Sequence, residues 1–592
     1  MNRRAALTWL ALALILALYA ISLIRLHPTN FFGLTEDDTI YFSSAKALAA
    51  HQGYVLPSVP GHPPATKYPI GYAFVLAHIW QMHPSFPSNI SNALRVNAIF
   101  GCIFIILTFL LFSRMNDFTL AESILLTLFC ALHAVFLFYS GNVLSEIPFC
   151  TATLAALLLA DRDLQPSGKA LGAVSCAVLA GCSILLRVFG ITIVAGIFLT
   201  GLLRRAWRQT IIFTACALPF FIALAWQQLT SHAATAAAAA ATSSALTSSA
   251  SGWTRTYAYY TNYSAFWRLS VPTSQIFWSM LRNNFVTLLQ TPSDFLLYPL
   301  FSRSDPIGIA VVTVIAAVTI SGIRRQAIRN GWLPIHSAFL CYLPLILLWN
   351  YPDSTHRFLL PFLPLLIAGF WTEIKHIFQM VRRALRSGKS TGDKIVAGAF
   401  GCALLAFTCC ILWNFAGGMR TVILEKSRER ATLLASKREA YRWLASNSAA
   451  NDNLIAWEDG LAYLYTGRAC MRPIVFTTAE LYDNLRIVPA MGHITDVAQA
   501  IGARYWIFSD DDFEAEFPEG TAAARNELRY LETRLPLKFQ SADGRVRVRS
   551  TGCYVNPNPP LCDQPTSTTA TVPSETAAPA PTSAALQLGT PK

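Results

Sequence analysis

Long apolar runs alternate with short polar segments along most of this chain. Eleven of the runs are long enough to cross, or nearly cross, the roughly 30 Å hydrocarbon core of a bilayer. They lie near residues 5–24, 93–113, 119–139, 142–160, 169–185, 187–203, 210–229, 307–323, 332–350, 357–378 and 394–416. The pattern predicts an all-α polytopic membrane protein of about 11 transmembrane helices.

Two apolar segments need separate interpretation. Arg3 and Arg4 precede the first run, as in a signal peptide, but no small-residue cleavage site follows Ile24, so we interpret the run as an uncleaved anchor. Residues 69–82 are apolar but short and interrupted, which favours a helix on the membrane surface. As a true span, this segment would invert the orientation of everything downstream.

Basic residues cluster in the loops on one side of this alternation. If the N-terminus is cytoplasmic, every strong basic cluster between spans is cytoplasmic too, as the positive-inside rule requires. The inside residues are Arg3/Arg4, Arg114, Arg162/Lys169, Arg204/Arg205/Arg208, Arg324/Arg325/Arg329 and Arg382/Arg383/Arg386/Lys389/Lys394. The long loops 25–92 and 230–306 and the chain from about 418 onward are then predicted to be extracytoplasmic, in a cell (inner) membrane.

The C-terminal part has a different pattern. A charged helix is expected over 425–445, strands at 454–457 and 505–508, and a helix-like segment at 496–503, which together predict a small α/β domain over 418–555 behind a membrane domain over 1–417. Residues 556–592 are rich in Pro, Thr, Ser and Ala and cannot bury a core, so a disordered tail is expected. A disulfide between Cys553 and Cys562 is permitted on the outer side.

Composition and charge agree with the membrane class. The 592 residues are 54% apolar and only 13% charged, whereas about a quarter of the residues in soluble domains are charged. The net charge of +13 lies in short loops between spans, which favours topology over nucleic-acid binding as its explanation. Loop 230–306 also carries a dense aromatic run at 253–267, either an interfacial belt or a lid over a substrate.

The candidate functional residues are charged groups on the predicted outer side, where the positive-inside pattern does not account for them. Ionisable groups at membrane depth cost roughly 2.5 to 3.5 kcal/mol each, so a set that converges on one face indicates a polar cavity. On the predicted outer side, such groups are Glu36, Asp37, Asp38, Lys67, Arg95, Glu146, Arg187, His356 and Arg357. Three adjacent carboxylates repel one another near a membrane, which predicts one pKa raised toward that of a general base.

Each of these groups also has a simpler interpretation. Thr35 and Asp38 have the spacing of a helix N-cap in which Asp38 reaches back, and Glu146 stands where it can cap the start of a helix. Helix geometry prevents all three adjacent carboxylates from facing one cleft. Arg187 and Arg357 are compatible with simple anchoring at the membrane interface, but guanidinium groups in a partly dry site also suit a lipid phosphate.

Six motifs on the predicted outer face follow one another in a familiar order. They are LTEDDTIY at 34–41, TKYPIGY at 66–72, ALRVN at 93–97, SEIP at 145–148, LR at 186–187 and RFLLP at 357–361. The series resembles the GT-C superfamily, polytopic glycosyltransferases that use polyprenyl-phosphate sugars and include protein O-mannosyltransferases and the aminoarabinose transferases of lipid A. Ile70 replaces the family's second proline, and Phe358 stands where tyrosine is frequent.

The resemblance, which covers roughly residues 1–417, implies a hexosyl- or pentosyltransferase. It would move a sugar, with inversion, from a polyprenyl-phosphate donor to a glycolipid, polysaccharide or protein outside the cytoplasm. Carried over by position, Asp37 is the catalytic base, and Asp38 and Glu146 shape the site or, in some members, hold a divalent metal ion. The cations expected to face the donor phosphate are Lys67, Arg187 and Arg357, and the residues expected around them are Glu36, Tyr41, Arg95 and His356.

Two other classes of protein remain open at this point. A transporter or lipid flippase also keeps ionisable groups near its spans, although such proteins bind near mid-membrane with broken helices and internal repeats, and no clear repeat is present. A non-catalytic assembly protein with a partner-binding outer domain is the other alternative, and it leaves the six-motif series unexplained. No nucleic-acid partner is expected.

Overall fold

The described part of the chain is mainly helical. The structure is a computed structural model that describes residues 3–242, 252–297, 306–351, 355–387, 425–482, 490–513 and 521–552, with isolated positions between 392 and 417. The predicted tail, the pair Cys553 and Cys562, and nearly all of the predicted span 394–416 lie outside the described residues.

The region before residue 388 is built from helices joined by short turns. The helices are α1 Arg3–Arg25, α2 Glu36–Ala49, α3 Ile70–Met82, α4 Ile90–Arg114, α5 Leu120–Ala131, α6 Ala134–Ser140, α7 Glu146–Asp163, α8 Ala170–Leu186, α9 Gly190–Leu203, α10 Trp207–Thr242, α11 Gly252–Thr261, α12 Tyr263–Ser270, α13 Ser274–Leu297, α14 Pro306–Asn330, α15 Pro334–Leu347, α16 Thr355–Phe358 and α17 Leu363–Ser387. Single 3-10 turns lie at Pro28–Asn30 and Leu360–Phe362.

Four of these helices are long and apolar enough to cross a membrane, which makes the chain a multi-pass membrane protein. They are α1, α4, α10 and α14, and α5 with α6 forms a fifth candidate that is bent by 55°. Large apolar side chains on α1 point outward: Trp9 is 62% exposed and Leu10 is 67% exposed. Such a surface is stable in lipid and unfavourable in water.

The count of eleven spans stays a prediction. Each of the ten predicted spans before residue 388 coincides with one or more helices of the structure. However, α8 and α9 have only 17 and 14 residues. At 1.5 Å per residue they reach about 26 and 21 Å, less than the hydrocarbon thickness. Helix α3 forms where a surface helix is predicted; its 13 residues pack against α2 and α8.

Small residues let two of the apolar helices touch backbone to backbone. A Cβ atom on Gly322 of α14 would lie 1.8 Å from the backbone oxygen of Gly369 on α17. Nearby, the side chain of Gln326 donates a 2.9 Å hydrogen bond to Thr372. Close approach at small residues, with polar bonds between helices, is how helices associate where lipid removes the hydrophobic driving force.

A mixed five-stranded sheet forms the centre of the C-terminal region, where the sequence predicts a small α/β domain with two strands. Its elements are α18 Lys426–Asn447, β1 Asn453–Ala456, α19 Asp459–Thr466, β2 Cys470–Met471, α20 Thr478–Tyr482, α21 Asp496–Ala500, β3 Ala503–Ser509, α22 Thr521–Arg534, β4 Leu537–Gln540 and β5 Val546–Ser550. The strand order is β2-β1-β3-β5-β4. Strand β1 runs parallel to β2 and β3, and β5 runs antiparallel to β3 and β4.

This C-terminal domain shares an apolar core with the loops that precede it. Tyr259, Tyr260 and Phe266 are buried in one cluster with Ile40 of α2 and Trp457 of the domain. The prediction of an interfacial belt is therefore wrong for these three aromatic residues. Their rings have apolar partners inside the protein, which removes more apolar surface from water than a position at the membrane interface.

Candidate active site

The start of α2 places two carboxylates beside a group of cations. Thr35 occupies the N-cap position but makes no capping hydrogen bond, and Asp38 does not reach back to it. Asp38 instead accepts a 2.9 Å hydrogen bond from the backbone N–H of Gly33. The predicted capping pair is therefore wrong, and Glu36 and Asp37 are the carboxylates that face the cations.

Asp37 is held by three side chains from distant parts of the sequence. Its Oδ2 lies 2.5 Å from Nη2 of Arg357, its Oδ1 lies 3.8 Å from Nζ of Lys67, and the hydroxyl of Tyr68 donates a hydrogen bond to it. Burial raises the pKa of Asp37, but the charges of Arg357 and Lys67 and the Tyr68 hydrogen bond outweigh that effect and hold the pKa well below its usual range.

Glu146 extends this cluster through a second pair of ions. It is the first residue of α7, and its carboxylate contacts the guanidinium groups of both Arg187 and Arg357. Positive and negative groups therefore alternate in the order Asp37, Arg357, Glu146, Arg187. Because each buried charge has an oppositely charged neighbour, the desolvation cost of the group is offset, and a capping role for Glu146 does not describe its environment.

The three carboxylates predicted as metal ligands do not converge. Asp37 and Glu146 lie on either side of the Arg357 cation, and Asp38 is bonded to Gly33. Among the residues that the structure describes, no group of three or more His, Cys, Asp or Glu side chains is placed to hold a metal ion. Asp37, Asp38 and Glu146 therefore do not fit a shared divalent cation in this arrangement.

A second charged group borders Asp37 through Glu36. Oε1 of Glu36 lies 3.7 Å from Nζ of Lys67, and Oε2 accepts a 2.7 Å hydrogen bond from the hydroxyl of Tyr259. Oε2 is also 3.1 Å from Nη1 of Arg472, which belongs to the C-terminal domain. Lys67 thus lies between two adjacent carboxylates, and its ammonium stands 3.6 Å from the centroid of the Tyr259 ring.

Of the remaining predicted residues, Tyr41 and His356 lie beside this cluster, and Arg95 lies outside it. The hydroxyl of Tyr41 is 2.9 Å from that of Ser145, next to Glu146, and its ring lies 4.6 Å from that of Tyr68. His356 is half-buried beside Arg357 in α16. Arg95 does not join the cluster: it is exposed and donates to Asn92 of its own helix.

Sequence reasoning missed two residues that contact Glu36. Tyr259 belongs to the aromatic run at 253–267, so its position was noticed but not its role. Arg472 follows β2 in the C-terminal domain, and nothing in its local pattern distinguishes it from an ordinary surface arginine.

No protein-family model and no curated protein matches this sequence. Several solved structures are similar in fold. The structure of ArnT from Cupriavidus metallidurans bound to undecaprenyl phosphate has 11% identity and a TM-score of 0.49, with 91% of this chain and 97% of that chain covered. ArnT in the apo state has 12% identity, a TM-score of 0.47 and coverage of 94% and 100%.

A third similar structure is the archaeal oligosaccharyltransferase AglB from Archaeoglobus fulgidus in complex with an inhibitory peptide and a dolichol-phosphate. It has 13% identity and a TM-score of 0.46, with 90% of this chain and 74% of that chain covered. Likenesses this distant do not assign an activity, so the function has to be argued from the site itself.

Proposed function

We propose that this protein is a membrane glycosyltransferase that moves a sugar from a polyprenyl-phosphate-linked donor to an acceptor outside the cytoplasm. The observation that carries the proposal is the position of Asp37 between Arg357 and Lys67. A carboxylate that can take up a proton and cations that can bind a phosphate thus stand within one group of contacts. The six-motif series of the sequence supports the same reaction class.

In the proposed reaction, the carboxylate of Asp37 and the neighbouring cations have separate roles. A hydroxyl or amine of the acceptor attacks the anomeric carbon of the sugar, and its proton passes to the carboxylate of Asp37. The bond between the anomeric carbon and the phosphate oxygen breaks on the opposite side, so the configuration inverts. The bond electrons leave with the polyprenyl phosphate, whose added negative charge is stabilised by Arg357, Lys67 and Arg187.

Donor binding also explains how a carboxylate of low pKa becomes a useful base. The donor phosphate competes with Asp37 for the donors of Arg357 and Lys67. When those cations turn toward the phosphate, Asp37 loses stabilisation of its charged form, and its pKa rises toward the range in which it can accept a proton. Glu146 keeps Arg187 and Arg357 at the site while this exchange takes place.

Replacement of the proposed base tests this assignment. We expect Asp37→Asn to lower sugar transfer by about 10²- to 10⁴-fold, the usual contribution of a general base, because an amide cannot accept the proton. The assay offers radiolabelled undecaprenyl-phosphate hexoses and pentoses, with an envelope fraction from cells lacking the protein as acceptor. Mass spectrometry of surface glycolipids and glycoproteins from those cells identifies the acceptor class.

The matched control is Glu373→Gln, which removes another ion-paired carboxylate, bonded to Arg325 at 2.8 Å on α14. This variant should keep wild-type transfer. A folded Asp37→Asn protein with undiminished transfer would refute the base assignment. If wild-type protein transfers no sugar from any of these donors but moves the intact lipid across vesicles, the transporter alternative is correct.

A further inference from the structure

A buried arginine of the C-terminal domain reaches the start of α2. Arg472 is only 5% exposed, and its Nη1 lies 3.1 Å from Oε2 of Glu36. Its Nε lies 3.8 Å from Oδ1 of Asp459, and its guanidinium carbon stands 4.7 Å from the centroid of the Trp457 ring. One cation therefore bridges a carboxylate of α2 and a carboxylate of α19.

The surroundings of this bridge leave little room for rearrangement. A Cβ atom on Gly460, the residue after Asp459, would lie 2.3 Å from Oγ1 of Thr39 on α2. The hydroxyl of Tyr260 donates a 2.8 Å hydrogen bond to Asp459. Because α2 and α19 are in close contact at this point, α2 cannot shift away from Arg472 without loss of packing.

The charge of Glu36 matters for Asp37 because the two carboxylates share one cation. Nζ of Lys67 is 3.7 Å from Glu36 and 3.8 Å from Asp37. In the described part of the chain, Lys67 and Arg472 are the cations within 4 Å of Glu36. Without Arg472, Glu36 would depend on Lys67 alone among these cations, and the buried group beside Asp37 would carry one more uncompensated negative charge.

We propose that Arg472 is a positioning residue for the transfer reaction: it neutralises Glu36, keeps Lys67 shared with Asp37, and so lets the C-terminal domain set the charge around the base. This inference rests on the proposed function. Other charged and titratable groups interact with Asp37 and act in the same balance. They are Arg357 of α16, Tyr68 before α3, Asp38 and Tyr41 of α2, Tyr139 of α6 and Tyr263 of α12, with Glu146 of α7 beyond Arg357.

The electrostatics of Asp459 agree with this arrangement. Burial and the nearby charge of Glu36 raise the pKa of Asp459 to about 7, against the opposing charge of Arg472. Arg472 therefore partly neutralises both Glu36 and Asp459. Of these two carboxylates, Glu36 is the one that also contacts Lys67, which is shared with Asp37.

The test measures kcat at saturating undecaprenyl-phosphate sugar as a function of pH, which reports the base in the donor complex. Arg472→Met should move the acidic limb to higher pH, by on the order of one unit. The charge of Glu36, no longer neutralised by Arg472, then lies beside Asp37 even when Lys67 has turned toward the donor phosphate, so Asp37 holds its proton more tightly. Addition of Glu36→Gln in the same chain should return the limb toward its wild-type position, because the uncompensated charge is gone.

The matched control is Arg255→Met, which removes another buried arginine between the loops and the C-terminal domain, paired with Glu480 at 2.7 Å. It should leave the limb in place. The inference is overturned, with the proposed function intact, if the acidic limb of Arg472→Met lies at the wild-type pH. An equal shift of the acidic limb in Arg255→Met overturns it as well. Absence of transfer in the wild type overturns the proposed function and this inference together.

A second variant covers the case in which Arg472→Met does not fold. Asp459→Asn removes the other carboxylate that holds Arg472 and leaves the guanidinium to Glu36 alone. The acidic limb of the kcat profile should then stay at the wild-type pH or move to lower pH. A move to higher pH would contradict the proposed role of Arg472.

Discussion

Three adjacent carboxylates at residues 36–38 have three different environments. Glu36 is shared by Lys67 and Arg472, Asp37 by Arg357 and Lys67, and Asp38 accepts from the backbone of Gly33. The expectation that they cannot face one cleft is confirmed. The expectation that one of the three pKa values is raised is confirmed at Asp38, where burial and repulsion from Asp37 outweigh the Gly33 hydrogen bond. The proposed base, Asp37, is not the raised one, because the charges of Arg357 and Lys67 outweigh its burial and lower its pKa.

The raised pKa of Asp38 predicts a pH-dependent stability. The folded protein favours the protonated carboxyl of Asp38. The contribution of this carboxyl to the free energy of unfolding is therefore fully present below its pKa in the unfolded chain, about 3.9. It is lost as the pH rises through the higher pKa of the folded protein. Asparagine cannot ionise. Asp38→Asn should therefore raise the midpoint of thermal unfolding, relative to the wild type, more at pH 8 than at pH 4.

Asp38→Ala is the comparison, because it also removes the acceptor of the Gly33 N–H. Relative to Asp38→Asn, which also cannot ionise, loss of this buried hydrogen bond should destabilise the protein by about 1–3 kcal/mol at both pH values. If the difference between Asp38→Asn and the wild type is the same at pH 4 and pH 8, Asp38 is not protonated in the folded protein.

Individual helices were predicted more securely than their contacts. The apolar pattern places α14 and α17 under predicted spans, because a long apolar run is itself the signal. Nothing in that pattern says that these two helices meet at Gly322 and Gly369. A glycine within an apolar run looks the same whether lipid or another helix covers it.

The contact between α14 and α17 predicts a steric effect. Gly322→Ala should lower stability by about 1–3 kcal/mol, because the added Cβ would lie 1.8 Å from the Gly369 oxygen and the helices must separate. Thermal unfolding in detergent measures the change. The control is Gly398→Ala, where a Cβ meets no atom of the described residues within 4 Å. Equal destabilisation of both variants would show that helix propensity, not contact, is responsible.

At the scale of the whole molecule, the C-terminal domain is tied to segments that are distant in sequence. The N–H of Cys470 donates a 2.7 Å hydrogen bond to the Ser58 carbonyl, and Thr478 donates to the Asn350 carbonyl at 2.9 Å. Loop 25–92, through Ser58, and loop 230–306, through the ion pair of Arg255 with Glu480, therefore contact the domain beyond 418. Their common position outside the cytoplasm stays a prediction.

This orientation gives a direct prediction. In a cysteine-free background, a cysteine at His51 should react with an impermeant maleimide added to intact cells, because His51 lies in the predicted outer loop and is exposed. A cysteine at Arg208, also exposed, should react only after the membrane is opened. The reverse labelling pattern would invert the proposed topology.

The sequence by itself determined the membrane class, the position of most helices, the small α/β region at the C-terminus and the list of candidate charged residues. These follow from local periodicity and from the cost of charge near lipid, both of which can be read along the chain. Tertiary structure alone decided that Arg357 joins Asp37 to Glu146, that Arg95 stays apart, and that Arg472 reaches Glu36. The physical reason is that pairing of buried charges depends on three-dimensional proximity between residues up to several hundred positions apart, for which a single sequence carries no local signal.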